Sequence, residues 1–402
     1  MPARRRAVFS LSLAGALALG LGPGFARAAP PADAEVVRIG VAAPLTGFSA
    51  SNGKDVANAA RLAFEEANAA GLAIGGRPVR FEVDSQDDAA DPKTAVLVAQ
   101  RFADEGVSGV IGHYNSSCSI AASAVYRRAG IPQISPTSSS PLLTARGSDS
   151  TFRTISNDSQ MAELAARYSV ASLGAKRIAV IDDSTDYGTH LANAFVTSAT
   201  QAGAEIVSRQ YASPTAIDFR ALLTTIKGLA PDLILYVGQD IQAASLARQM
   251  HQLGIKARLM GEGGLTNAHF LALAGAGANA MLSWEYGLPR ERMPQAAALD
   301  AKLAARFGTG IVQFAPLAYD AAWAMIHAMQ AAGSAAPSRY LPALRALSFE
   351  GVTGTVSFTP QGDRQFAFAT LYQERGGAWA VRAVERTART DGTDGGEPAP
   401  SR

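Results

Sequence analysis

Val110-Ile-Gly-His-Tyr-Asn-Ser-Ser117 runs from an apolar, β-branched segment into a pair of serines. That pattern reads as a strand (Val107–Gly112) ending at a helix start (Ser117–Ala129). Ile134-Ser-Pro-Thr-Ser-Ser-Ser140 and Ile181-Asp-Asp-Ser-Thr-Asp-Tyr-Gly188 repeat it, each polar where a strand ends and a helix begins. Helix starts leave backbone N–H groups unpaired and carry partial positive charge. Hydroxyl residues placed there make a site for a small carboxylate or similar anion. Several such sites in one chain predict a protein that grips a small polar solute.

Outward from these stretches, strand and helix alternate. Val36–Ala43 is a strand, Asp55–Ala70 a helix stopped by Gly71, and Val79–Ser85 a strand. Asp91-Pro92 supplies an N-cap and a proline at the first helical position, opening a helix to about Asp104. The rhythm restarts near Gln160 with helices 160–173, 189–202, 218–229 and 241–253 between strands 177–181, 205–211, 233–237 and 258–260. Helices 294–307, 315–332 and 338–347 follow, then closing strands at 352–358, 365–373 and 378–384. Continuous apolar strands imply parallel sheets covered on both faces. The expected fold is α/β, with two doubly wound parallel-sheet lobes. Ligand groups belong at the carboxyl ends of the strands, and the pocket in the cleft between lobes.

Arg4, Arg5 and Arg6, an apolar run from Ala7 to about Ala26 and the small-x-small Ala26-Arg27-Ala28 read as a signal peptide, residues 1–28. Gly22, Pro23 and Gly24 break the run, which argues against a membrane span. Arg5-Arg6 loosely fits a twin-arginine signal, so the export route stays open. Removing the leader takes away four Arg and no acid, turning a formal charge of +2 into −2. A near-neutral chain offers no footprint for nucleic acid. About 370 residues exceed one ordinary core, so two domains are expected. Residues 387–402 are nearly devoid of apolar side chains and should form a disordered tail.

The chain resembles the periplasmic leucine/isoleucine/valine-binding proteins of ABC transporters, with the type I two-lobe fold. The resemblance runs from about Glu35 to Arg382. It is carried by Pro44-Leu-Thr-Gly47, Asp87-Asp-Ala-Ala-Asp-Pro-Lys93, Val110-Ile-Gly-His113 with Ser116-Ser117, and Pro141-Leu-Leu-Thr-Ala-Arg-Gly147. Tyr187-Gly188, Asp218-Phe219, Gln252-Leu-Gly254, Tyr319-Asp-Ala321 and Gly351-Val-Thr-Gly354 extend it. The family implies a three-segment hinge, here near Ile155–Asp158, Ser283–Tyr286 and Val356–Phe358. The N-terminal lobe would then hold 36–156 and 285–356, the second lobe 157–284 and 357–386. It also implies a monomer in the periplasm without cofactor, serving an inner-membrane ABC permease; a sensory role for the same fold stays open.

The resemblance assigns site residues too. Ser116, with Ser117 beside it, matches the serine that binds the ligand carboxylate, although a serine opening a helix is also a plain cap. Thr137, Ser138 and Ser139 match the second ligand segment. Tyr187 matches a tyrosine that closes over the ligand, and Phe314 an aromatic lining position. Asn52 and Gln239 stand where relatives carry ligand-facing residues. The family's acid for the ligand ammonium falls on Gly263; Glu262, one residue earlier, is the expected substitute, with Asp240 as a second candidate. Should neither reach the site, an amide, urea-like compound or organic acid becomes the expected solute.

Enzymatic motifs are missing. No Gly-x-Ser-x-Gly elbow, His-Glu-x-x-His or Cys-x-x-Cys occurs. His113 and Ser116, three residues apart at a strand end, do not by themselves make a base–nucleophile pair. Cys118, the single cysteine, reads as a small buried filler. A non-catalytic protein without a metal site is expected.

Overall fold

Val37, Ile39 and Val41 are buried on one face of strand β1 (Glu35–Ala43), and Ala42 is buried on the other. Such a strand must lie inside a sheet covered on both sides. The computed structural model describes residues 34–145 and 149–387, and in it β1 runs parallel to both its neighbours. The expected signal peptide (1–28), the expected tail beyond Thr387 and Arg146-Gly147-Ser148 lie outside the described residues.

The first sheet contains β2 (Ala73–Ile74), β3 (Arg77–Asp87), β4 (Gly109–Gly112), β5 (Gln133–Ser135) and β6 (Thr151–Arg153), in the order β2-β3-β1-β4-β5-β6. Its connections are α1 (Ala50–Ala69), α2 (Pro92–Asp104), α3 (Ser116–Ala129) and the turn α4 (Leu142–Ala145). The chain then builds α5 (Asp158–Ala171), β7 (Arg177–Asp182), α6 (Asp186–Gln201), β8 (Glu205–Tyr211) and α7 (Arg220–Gly228). It continues with β9 (Leu233–Val237), α8 (Asp240–Gln252), β10 (Arg258–Glu262), α9 (Ala268–Ala274) and β11 (Leu282–Tyr286). Helices α10 (Ala296–Phe307), α11 (Ala315–Ala332) and α12 (Pro337–Arg345) follow, with α11 packed on α1 of the first lobe. A hairpin, β12 (Ser348–Gly351) and β13 (Gly354–Ser357), precedes β14 (Phe368–Arg375) and β15 (Ala378–Arg386). The second sheet has the order β15-β14-β11-β10-β9-β7-β8. Two α/β lobes, each wound about a largely parallel sheet, are thus present; only β14 and β15 join the second sheet antiparallel.

The local signals explain most boundaries. Asp91 accepts the Thr94 N–H at 2.8 Å, with Pro92 at the first helical position of α2. Asn157 and Gln160 form a capping box that starts α5 two residues earlier than the apolar pattern suggests. Helix α1 begins a full turn before Asp55, through Ser51-Asn52-Gly53. The glycine there is a packing choice, since a Cβ at Gly53 would stand 1.9 Å from the Pro44 carbonyl oxygen. Strands β6 and β11 have no counterpart in the sequence reading. Each carries a charged residue that the fold buries, Arg153 and Glu285 respectively. The chain leaves the second sheet after Tyr286, at the far end of the expected 283–286 crossing.

Candidate functional site

Helix α3 opens with Asn115 at the N-cap, whose side chain makes no capping bond. The first intrahelical bond runs from the Ser119 N–H to the Asn115 carbonyl, so the N–H groups of Ser116, Ser117 and Cys118 have no partner within the helix. Opposite them stands the loop after β5. The Ser138 hydroxyl lies 2.6 Å from that of Ser119, and the Ser138 N–H donates to the Ser135 hydroxyl at 3.0 Å. From beneath, the Arg153 guanidinium donates to the Ser138 carbonyl at 2.7 Å and the Ser140 carbonyl at 2.9 Å, while its Nε pairs with Asp363 at 2.7 Å. This clamp turns Ser139 toward the cleft. The Asp158 carboxylate, facing it from the start of α5, receives the Tyr286 hydroxyl at 3.0 Å.

The second lobe answers from the ends of β7, β9, β10 and β11. Thr185 caps α6 by accepting the Gly188 N–H at 3.0 Å. The Tyr187 hydroxyl donates to the Glu262 carbonyl at 2.8 Å, which fixes its ring over Gly263. Glu285 accepts the N–H groups of Gly264, Leu265 and Thr266 at 2.6, 3.0 and 3.2 Å and so shapes the loop that brings Gly263 to the cleft. The lobes touch directly where the Ser117 hydroxyl accepts the Asp186 N–H at 3.2 Å.

A cavity of about 370 Å³ lies between these walls. Of the residues expected from the sequence, Ser116, Ser117, Thr137, Ser139, Tyr187, Gln239 and Phe314 line it. Tyr114, Asp183, Gln242 and Tyr286 line it as well and were not singled out by the sequence. Tyr114 and Asp183 lie inside two of the three polar stretches, 110–117 and 181–188. Gln242 stands one helical turn after Gln239, and that spacing was the available signal. Tyr286 ends β11, the strand hidden by its own charge.

Three expected site residues stand outside the lining. Ser138 is consumed by its bonds to Ser119 and to the carbonyls of His113 and Tyr114. Asn52 is buried outside the lining, and its amide oxygen has no hydrogen-bond partner. The expectation that Glu262 supplies the counter-charge is corrected. Alternation along β10 puts Glu262 on the same face as Met260, which packs on Ser169 of α5, and only Gly263 reaches the cleft. The Glu262 carboxylate is fully buried without a hydrogen-bond partner, and burial with repulsion from Asp158 and Glu285 pushes its carboxyl well above the usual range. Asp240 is turned to Asn267 at 3.3 Å, also off the lining.

His113 bonds Asp88 at 2.7 Å and Tyr126 at 2.9 Å, all three deep in the first lobe, so it is no base for Ser116. Cys118 is buried, and burial pushes its thiol up, away from nucleophilic use. Among the described residues no group of three or more His, Cys, Asp or Glu could hold a metal, and no helix is long and apolar enough to cross a membrane.

Several acids of the site are shifted upward. Burial carries the Glu285 carboxyl up to about 7, against the hydrogen bonds that favour its charged form. Burial likewise carries Asp158 to about 6, and burial with repulsion from Asp182 carries Asp183 to about 6. A carboxyl raised by folding holds its proton more tightly in the native chain. Its contribution is therefore most favourable below the unfolded value and is lost as pH rises through the native one. Half-buried His327, lowered by burial, acts in the opposite sense but is a single group. The unliganded protein should consequently melt at a higher temperature at pH 5 than at pH 8. Calorimetric scans across that range check this, and a melting temperature that climbs with pH contradicts it.

Two α/β lobes that close hydroxyls, N–H groups and aromatic rings around one small cavity define a solute-binding protein. The chain matches the family model "Periplasmic binding protein" over residues 36–375, and it belongs to that family. It is a substrate-binding protein of the ABC-transporter type, and the family is non-catalytic. It is 32% identical over 352 residues to the leucine-, isoleucine-, valine-, threonine- and alanine-binding protein of Pseudomonas aeruginosa, covering 87% of this chain and 92% of that one. A branched-chain amino acid transporter substrate-binding protein of Streptococcus pneumoniae, solved with isoleucine, superposes with a TM-score of 0.78 at 28% identity, covering 88% of this chain and 99% of that one. A solute-binding protein of R. palustris in complex with benzoate shares the fold at a TM-score of 0.79 and 20% identity, covering 88% and 98%.

Proposed function

We propose that this protein is exported to the periplasm and captures a small amino acid of the branched-chain type for an inner-membrane ABC permease. The carrying observation is the convergence of the free N–H groups at the start of α3 with the Ser116 and Ser139 hydroxyls on one inter-lobe cavity. These groups suit the solute's carboxylate. Tyr114, Tyr187, Tyr286 and Phe314 supply apolar walls, and the similarity to branched-chain amino acid-binding proteins of P. aeruginosa and S. pneumoniae supports the branched-chain class. Closure about the three crossings between lobes would trap the solute, and the closed form would dock on the permease.

Thermal-shift and calorimetric titration with leucine, isoleucine and valine test the reading. If all three leave the melting temperature unchanged at millimolar concentration, the branched-chain assignment fails. Ser116→Ala should weaken a bound carboxylate by about 1–3 kcal/mol, since a buried charge-assisted hydrogen bond is lost. An unchanged dissociation constant would leave the Ser116 hydroxyl only its structural bond, accepted from the Ser140 N–H at 3.3 Å. One observation favours a second reading, an amide or organic-acid solute: no acid stands at 263, and the Glu262 carboxylate faces away from the cavity.

A further inference from the structure

Gly263, where the family resemblance places an acid, has no room for a side chain. A Cβ there would stand 2.9 Å from the Tyr187 hydroxyl and 3.0 Å from the Tyr286 ring, at a φ of +66°. Elsewhere on the same wall, two buried polar side chains keep atoms that find no partner in the protein. Asp183 follows β7 and Gln242 lies in the first turn of α8, directly after β9. The two strands are neighbours, and the Asp183 N–H donates to the carbonyl of Val237, the last residue of β9, at 3.1 Å. Asp183 Oδ1 accepts the N–H and the hydroxyl of Thr185 at 3.0 and 2.6 Å, whereas Oδ2 has no hydrogen-bond partner. Adjacent Asp182 is paired with Arg209, and no such cation serves Asp183. Gln242 is fully buried, and neither its amide oxygen nor its amide nitrogen is bonded. Both residues line the cavity.

Buried polar groups are rarely left unpaired, and a site built to hydrogen-bond a solute rejects analogues that cannot answer it. We infer that Asp183 and Gln242 form a subsite for an N–H-bearing group of the solute, an ammonium or a carboxamide, facing the carboxylate grip of the first lobe. The inference rests on the solute-capture reading above. The N–H donors meet Asp183 Oδ2 and the Gln242 amide oxygen, while the Gln242 NH₂ remains for a carbonyl or carboxylate oxygen. That group is either an α-ammonium or the end of a side chain.

Calorimetric titration of the mature chain with four probes tests it: leucine, 4-methylpentanoate (the same skeleton without the amine), glutamine and 4-aminobutanoate. At least one N–H-bearing probe should bind about 10-fold or more tighter than 4-methylpentanoate. Asp183→Asn keeps an oxygen for Thr185 and exchanges only the free one. It should cut that preference to within about 3-fold while leaving 4-methylpentanoate nearly unaffected. Gln242→Leu should lower the preference independently, which guards against a folding defect in the first variant. Loss confined to leucine assigns the subsite to the α-ammonium; loss confined to glutamine or 4-aminobutanoate assigns it to the distal group. A preference that survives in both variants, or 4-methylpentanoate binding as tightly as the other probes, overturns the subsite. If carboxylates bind and weaken in Ser116→Ala yet ignore Asp183, the subsite alone falls; if none of the four binds, both readings fall.

Discussion

Arg153→Met should destabilise the protein by about 3–5 kcal/mol, the range for removing one partner of a buried, hydrogen-bonded ion pair. The guanidinium is fully buried and joins three separate stretches of the chain. It donates to the carbonyls of Ser138 and Ser140, to the Thr144 hydroxyl at 2.9 Å, and pairs with Asp363, far along the chain. Methionine fills the volume but strands two carbonyls and leaves the Asp363 carboxylate only the Thr144 hydroxyl, at 2.9 Å. The loop that presents Ser139 would lose its clamp, so solute affinity should fall together with stability. Asp363→Asn should cost less, because that side chain keeps some access to water, at 14% exposure. Urea unfolding of the three proteins checks the order; an Arg153→Met loss under about 1 kcal/mol would contradict the clamp.

Asp55→Ala should cost a comparable amount, about 3 kcal/mol or more. The Asp55 carboxylate is buried and receives four backbone N–H groups at the start of α11: Val312 at 2.9 Å, Gln313 at 2.9 Å, Phe314 at 2.6 Å and Ala315 at 2.8 Å. It thus performs for α11, from a different helix, the task that an N-cap performs locally. Alanine leaves four donors unpaired against an apolar surround and unseats Phe314 on the cavity wall. Asp55→Asn retains one accepting oxygen and should fall between. Denaturant unfolding gives the three stabilities, and equal stability of Asp55→Ala and wild type would overturn this account of the α1–α11 junction.

The sequence made the alternation of strands and helices readable because most strands are unbroken apolar runs between capped helices. β9 and α11 were legible to the residue for that reason. β6 and β11 were hidden because each buries a charge, and a buried charge reads locally as surface. Their partners, Asp363 for Arg153 and the 264–266 loop for Glu285, are set by tertiary contact and leave no short-range trace. The hydroxyl clusters announced the first-lobe wall of the site, since helix-start chemistry is local. The second-lobe wall was less legible. Which face of β10 meets the cleft depends on strand alternation through Met260, so neither composition nor spacing could show that Glu262 points into the lobe. Asp183 lay in a quoted stretch, but only the fold reveals that one of its oxygens is left without a partner.

The most direct test is a crystal structure with the solute that raises the melting temperature most. The carboxylate should lie within hydrogen-bond distance of the Ser116 and Ser117 N–H groups, with the Ser139 hydroxyl alongside and Tyr187 closing from the second lobe. A solute bound outside the inter-lobe cavity, or seated with its apolar end against the start of α3, would contradict the account.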